Sequence, residues 1–263
     1  MMIMFFVFVL FLCWGSFLNV VAYRSIAGVP FLKKRSFCTS CKQVIAWYHN
    51  IPVFSWLFLK GRCAYCHKKI SWLYPFIEVL TAVLMTALFF HLFFASGIGV
   101  FTVQTFFTFL SYFVFFSALI VSIRTDMEAL VIPQLFTIWL VPFGLIFAYY
   151  GSLRIHVLTA FLGALFGYGS LWFVAKVFKL VARKEGLGVG DMELLALIGA
   201  FLGPICVWTT IFIASISGLF FSAAYMIATK KKGDFKIPFG PFLALGAFLY
   251  FFFERWFILL LFG

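Results

Sequence analysis

The sequence predicts an all-α polytopic membrane protein of about eight transmembrane helices that carries one small, polar, metal-binding loop domain, and three observations predict it. Hydrophobic residues make up 65% of the 263-residue chain, Phe alone numbers 41, and charged residues fall to 11%, far below the roughly 25% of soluble domains. Apolar runs close to the roughly 20 residues that span a bilayer recur at 2–22, 75–95, 99–123, 131–150, 155–180, 192–207, 208–228 and 237–258. The basic residues then fall on one side: 18 of the 20 Lys and Arg lie in 23–74, 124–130, 176–190 and 229–236, leaving only Arg154 and Arg255 elsewhere.

Each element follows from the local residues. The first charge is Arg24 and no basic segment precedes the first apolar run, so 1–22 is predicted to be a retained transmembrane helix rather than a cleaved signal. Residues 23–74 form the one polar segment large enough to fold by itself, and 75–263 the remaining membrane core. Within that core the run 192–207 is short, and Gly203-Pro204 is the predicted turn before 208–228. The Pro-Phe-Gly-Pro string at 238–241 either starts the last helix plainly or leaves irregular backbone lining a cavity. Because positive loops stay inside, 23–74 is placed in the cytoplasm of a multi-pass inner-membrane protein with both termini external. A net charge of +12 is spread over loops beside membrane spans, which fits anionic lipid headgroups and not nucleic acid.

The 23–74 loop contains Cys38-Thr39-Ser40-Cys41 and Cys63-Ala64-Tyr65-Cys66, with 21 residues between the pairs. Each pair offers two thiolates from one tight turn, and four close a tetrahedral shell, so Cys38, Cys41, Cys63 and Cys66 are expected to hold a structural zinc ion. Disulfides are the competing pairing, but a cytoplasmic loop is reducing. His49 and His67 are surplus to such a site, and Cys13 and Cys206 lie in apolar runs as ordinary packing residues. The intervening WYHNIPVFSWLFLKGR is too apolar for a solvated linker and suits the membrane face, with Trp47, Tyr48 and Trp56 at headgroup level.

Only 8 carboxylates occur in the chain, and two pairs of them recur as Asp-Met-Glu at 126–128 and 191–193. Acids two positions apart on a helix point about 200° away from each other, so one member of each pair can face a shared site. Asp126 and Asp191 fall at helix ends on the same, cytoplasmic, side. Gly186, Gly188 and Gly190 free the backbone before Asp191, which sits where a helix N-terminus favours negative charge. Taken singly, Asp191 reads as a helix cap and Asp126 as a loop acid beside Arg124; together they are the raw material of an aspartyl protease. Glu128 and Glu193 are expected at the surface or in support, and Glu78 in a first helical turn.

These blocks resemble the prepilin peptidases, or type IV leader peptidases, over nearly the whole chain. The resemblance is carried by GSFLNVVAYR at 15–24, the two cysteine pairs, WYHNIPVFSWLFLKGRC at 47–63, ISWLYPFIE at 70–78, the Asp126 region ending in Ile132-Pro133, GVGDMELLALIGAFLG at 188–203 and IPFGPFLALG at 237–246. It implies removal of a short basic leader, after a glycine, from type IV prepilins or pseudopilins, followed by N-methylation of the new terminus from S-adenosylmethionine. It also implies that Asp126 and Asp191 are the catalytic aspartates and that the four cysteines are the metal ligands. Two positions depart from the family pattern: Gln134 stands where an acid or Asn is common, and Glu193 where Lys is common. No glycine-rich nucleotide motif marks the methyl-donor site, and the sequence does not specify the oligomeric state. A cation transporter and a non-catalytic zinc-bearing scaffold are the readings from other classes. The first lacks an acid at the membrane midplane, and the second leaves the paired acids without a role.

Overall fold

The computed structural model describes residues 2–30, 35–95, 102–184, 186–229 and 237–263. The basic positions Lys33, Lys34 and Lys230–Lys232, together with Lys236, lie outside the described residues. Among the described residues the chain is helical, with two isolated β-bridges and no longer strand. It divides into two compact units, Met1–Phe101 and Thr102–Gly263. Among the described residues six helices are long and apolar enough to cross a membrane.

In the first unit, α1 (Met2–Ala27) runs against α3 (Leu73–Phe90), which ends in a π-helical turn at His91–Ala95. Gly15 permits the contact, since a Cβ there would come within 2.8 Å of the Glu78 Cα. Asn19, itself buried, donates from Nδ2 to the Tyr74 carbonyl at 3.0 Å. Glu78 is not in the first turn of α3 but five residues into it. There its buried carboxylate accepts the Val53 backbone N–H at 2.7 Å. Val53 needs that support: it holds a φ of 63°, which a β-branched side chain adopts only under strain. Between the helices lie a 3₁₀ turn at Trp47–His49 and the five-residue α2 (Phe54–Phe58). Trp47, Tyr48, Phe54, Leu57 and Phe58 of this stretch are exposed. Trp56 instead folds inward, donating from Nε1 to the Ile70 carbonyl.

In the second unit, α4 (Val103–Ala129) starts at a Thr102 side chain that accepts the Thr105 N–H and ends at Leu130 in the left-handed region. The apolar run 131–150 is not one continuous helix. Pro133 opens a 3₁₀ turn (Gln134–Phe136), Thr137 breaks it with φ −123° and ψ −94°, and a second turn (Ile138–Leu140) leads into the nine-residue α5 (Val141–Tyr149). Next, α6 (Val157–Ala182) packs on α7 (Val189–Thr229) through backbone, because a Cβ on Gly163 would collide with the Gly199 carbonyl, and one on Gly199 with that of Gly163. Small residues in such positions let membrane helices approach closely.

α7 spans 41 residues but is broken at Gly203, whose φ of 84° and ψ of 175° no helix tolerates. The Val207 side chain lies 2.9 Å from where a Gly199 Cβ would stand, whereas eight residues of straight helix would separate them by about 12 Å. The chain therefore folds back at Gly203-Pro204, so the arms of the hairpin are 189–203 and 204–229, and the expected runs 192–207 and 208–228 divide four residues too late. Every residue from Met192 to Gly203 is buried, as suits an arm that is apolar all round. The last helix, α8 (Gly240–Phe262), packs along α4 through Phe116–Phe248 and Tyr112–Phe251 ring contacts at 4.9 and 4.7 Å.

Candidate active site and metal centre

Asp126 lies on the last full turn of α4 and is 5% exposed. Its Oδ2 accepts the backbone N–H of Gly240 at 2.8 Å. Gly240 is the first residue of α8 and Pro241 follows it without an N–H, so the one donor left on that first turn points at the carboxylate, and the helix dipole favours its negative charge. The Pro-Phe-Gly-Pro string is thus a plain helix start placed against an acid. A Cβ on Gly240 would stand 2.9 Å from Asp126 Oδ2.

Asp191 is the third residue of α7 and partly exposed. Its Oδ2 accepts the Gly188 N–H at 3.3 Å while its own N–H returns to the Gly188 carbonyl at 3.3 Å, a reciprocal cap like that of a capping box. Ile132 joins the two acids' supports. A Cβ on Gly190 would meet its Cβ at 2.9 Å, and one on Gly240 its Cδ1 at 3.2 Å. Glycine at both positions lets one isoleucine seat between the start of α7 and the start of α8.

Of the remaining acids, Glu128 pairs with Arg124, whose side chain is wholly buried. Glu193, expected near the surface or in support, is 4% exposed. Its Oε1 accepts from Gln134 Nε2 at 2.8 Å and its Oε2 from Thr137 Oγ1 at 2.9 Å. The two departures from the family pattern are therefore partners in one interaction. Sequence reasoning flagged each and missed the pairing, because nothing local relates residues 59 positions apart. It also missed Ile132 and the Gly240 N–H, neither of which carries chemistry in its side chain.

In the first unit the four cysteines converge: the Sγ atoms of Cys38, Cys41, Cys63 and Cys66 all lie within 4.8 Å of one another, and Cys38 and Cys66 are 3.9 Å apart. Zinc–sulfur bonds of about 2.3 Å in a tetrahedron set an edge of about 3.8 Å, so the donor set fits zinc. The two turns are built alike. Cys38 and Cys63 donate N–H to Gln43 and Lys68 and accept from Lys42 and His67, and both of the latter hold positive φ. The antiparallel bridges Phe37–Val44 and Arg62–Lys69 close each turn. Backbone N–H groups aim at sulfur: burial raises the Cys38 pKa, but the Cys41 and Ser40 backbone outweighs it and brings that thiol down to about 6, while the Gln43 backbone lowers Cys41 less than burial and the neighbouring Cys38 and Cys66 sulfurs raise it, to about 11, so the pair favours one thiolate at Cys38. His49 and His67 line a cavity of about 580 Å³ beside Cys63 and are not members of the cluster.

Comparison with known proteins agrees with both units. Residues 9–92 match the bacterial peptidase A24 N-terminal domain, and residues 113–223 match the type IV leader peptidase family. A prepilin leader peptidase/N-methyltransferase of Pectobacterium carotovorum subsp. carotovorum is 33% identical over 263 aligned positions, covering 90% of this chain and 88% of that one. A protein of the same name from Neisseria gonorrhoeae is 33% identical, covering 92% and 88%. The type 4 prepilin-like proteins leader peptide-processing enzyme of Escherichia coli O78:H11 is 33% identical, covering 88% and 87%. No solved structure matches the chain. With one position in three identical along nine tenths of its length, the chain belongs to the type IV leader peptidase family.

Proposed function

We infer that this chain is a membrane-embedded aspartyl endopeptidase and N-methyltransferase. It removes the basic leader of a type IV prepilin or pseudopilin at the cytoplasmic face of the bacterial inner membrane and methylates the new N-terminus from S-adenosylmethionine. Asp126 and Asp191 are the catalytic pair in this reading. The observation that carries it is their shared support: Ile132 packs against both Gly190, beside Asp191, and Gly240, whose N–H is bonded to Asp126.

The chemistry follows from two carboxylates that feel each other's charge and share one proton. The ionised member takes a proton from a water held between them, and the protonated member polarises the scissile carbonyl. The protons belong to the pair rather than to either residue, and no covalent intermediate on the enzyme is needed. The Gly240 N–H holds one oxygen of Asp126, leaving the other to face the water. The prepilin's apolar helix lies in the bilayer, so its leader meets the acids at helix ends. Zinc on Cys38, Cys41, Cys63 and Cys66 would supply a structural cross-link to the loop and no reacting group. The methyl-donor site is assigned to no residue.

Purified protein incubated with a prepilin and S-adenosylmethionine should yield, by mass spectrometry, a product shortened by the leader and carrying one added methyl group. Asp126→Asn and Asp191→Asn should each slow leader removal by about 10³-fold or more, since groups that act as a unit fail together. Cleavage by either folded variant at the wild-type rate would overturn the pairing.

A further inference from the structure

Two positions beyond Asp191, on a face of α7 turned about 200° away from it, the buried Glu193 gives both oxygens to one short segment of chain. That segment is the irregular turn of residues 132–137. Thr137, 0% exposed, sits at its break with φ −123° and ψ −94°, where no helix holds it. Such a turn carries few backbone bonds of its own: Phe136 and Thr137 donate back to Pro133 and Gln134, and the register of the turn against α7 is fixed by Glu193. A buried carboxylate persists only where its oxygens are met by donors, and here the donors all come from this one turn. At the head of the turn is Ile132, the residue seated between Gly190 and Gly240. Glu193, the turn, Ile132 and the two glycines are thus in series, and the last members carry Asp191 and the N–H that holds Asp126.

We propose that Glu193, through Gln134 and Thr137, is a positioning residue that sets the gap between Asp126 and Asp191 and so the rate of leader cleavage. The proposal rests on those two aspartates being catalytic. Glu193 touches no reacting atom in it; its part is to fix Ile132, and through Ile132 the spacing of the acids. Displacing reacting groups by about 1 Å costs on the order of 100-fold in rate, which is the scale of control that such a wedge can exert. The pairing also accounts for Gln134 and Glu193 occurring together. An acid at 134 facing Glu193 would leave two carboxylates and no donor between them.

The test is steady-state cleavage of a prepilin by the purified, detergent-solubilised protein, with methyl transfer to an already cleaved pilin measured in parallel. Glu193→Ala should lower kcat for cleavage by about 10- to 100-fold with KM within about twofold, because the acids are misplaced while the surface that meets substrate is unchanged. Methylation of the cleaved pilin should stay at the wild-type rate. Gln134→Glu should lower kcat similarly. Adding Glu193→Gln to it should restore kcat to within about threefold of wild type, since the amide introduced on α7 would donate to the new carboxylate on the turn and still accept from Thr137. That exchange remains decisive where Glu193→Ala does not fold. Wild-type kcat in Glu193→Ala or Gln134→Glu, an exchange that restores nothing, or equal loss of both activities would overturn the proposal. Separately, a cleaving Asp126→Asn variant would remove the reading on which it rests.

Discussion

At Gly240 a single methyl group decides whether the Asp126 carboxylate keeps its place. The backbone there is helical, so alanine is acceptable to α8 itself, yet its Cβ would stand 2.9 Å from Oδ2 and 3.4 Å from the Asp126 Cβ. The carboxylate must swing away and lose its charge-assisted bond to the Gly240 N–H. Gly240→Ala should therefore cut the initial rate of leader cleavage by about 10-fold or more without unfolding the protein. Gly218→Ala is the matched control, since its nearest neighbour would be 3.7 Å away in ordinary contact. Equal cleavage rates in the two variants would show that the Asp126 position does not matter. The acids themselves were legible because carboxylates are scarce in this chain and costly in a membrane. Their holders were not: an N–H, an isoleucine and two glycines have no signature until the fold brings positions 126, 132, 190 and 240 together.

The cysteine turns and the α7 hairpin show how far one element can be read in isolation. Cys-x-x-Cys turns are local, so the pairs at 38–41 and 63–66 declare both their geometry and their use, and the four sulfurs do meet. Gly203-Pro204 likewise announces a break, because proline removes a helical donor and glycine reaches φ 84° freely. The run at 131–150 misleads for the opposite reason. Its hydropathy suits one continuous helix, but the left-handed Leu130, Pro133 and the Thr137 break make it two turns and a short helix. Glu78 could not be placed from sequence either, since its partner is the strained Val53 backbone, 25 residues away. For the metal element the expected outcome is one zinc ion per chain by elemental analysis. Cys63, 6% exposed, is the buried ligand of the set. Cys63→Ser should lose the metal and open residues 35–72 to limited proteolysis, because a loop this small draws most of its order from such a cross-link. Full zinc content in that variant, or an unchanged digestion pattern, would count against a structural metal.

Across the whole molecule, the proposed orientation rests on where the charges lie. In the second unit the ends of α4 and α6 and the start of α7 carry Asp126, Glu128, Asp191 and Glu193 and most of the described basic residues. The opposite end of the same unit holds Arg154, one of two basic residues outside the four positive segments, and that end neutralises it. Arg154 Nη1 lies 3.5 Å from Glu254 Oε2, and its guanidinium stacks 5.4 Å from the Phe251 ring centroid. The proposed orientation puts Lys184 in the cytoplasm and Tyr150 outside, and both side chains are exposed. Lys184→Cys and Tyr150→Cys, each compared with wild type for its native thiols, should therefore differ toward a membrane-impermeant thiol reagent. In intact cells the reagent should modify Tyr150→Cys and spare Lys184→Cys, and in inverted vesicles the pattern should reverse. Labelling of Lys184→Cys from outside would put Asp126 and Asp191 on the wrong face to meet a leader that has not left the cytoplasm, and the proposed reaction would lose its substrate.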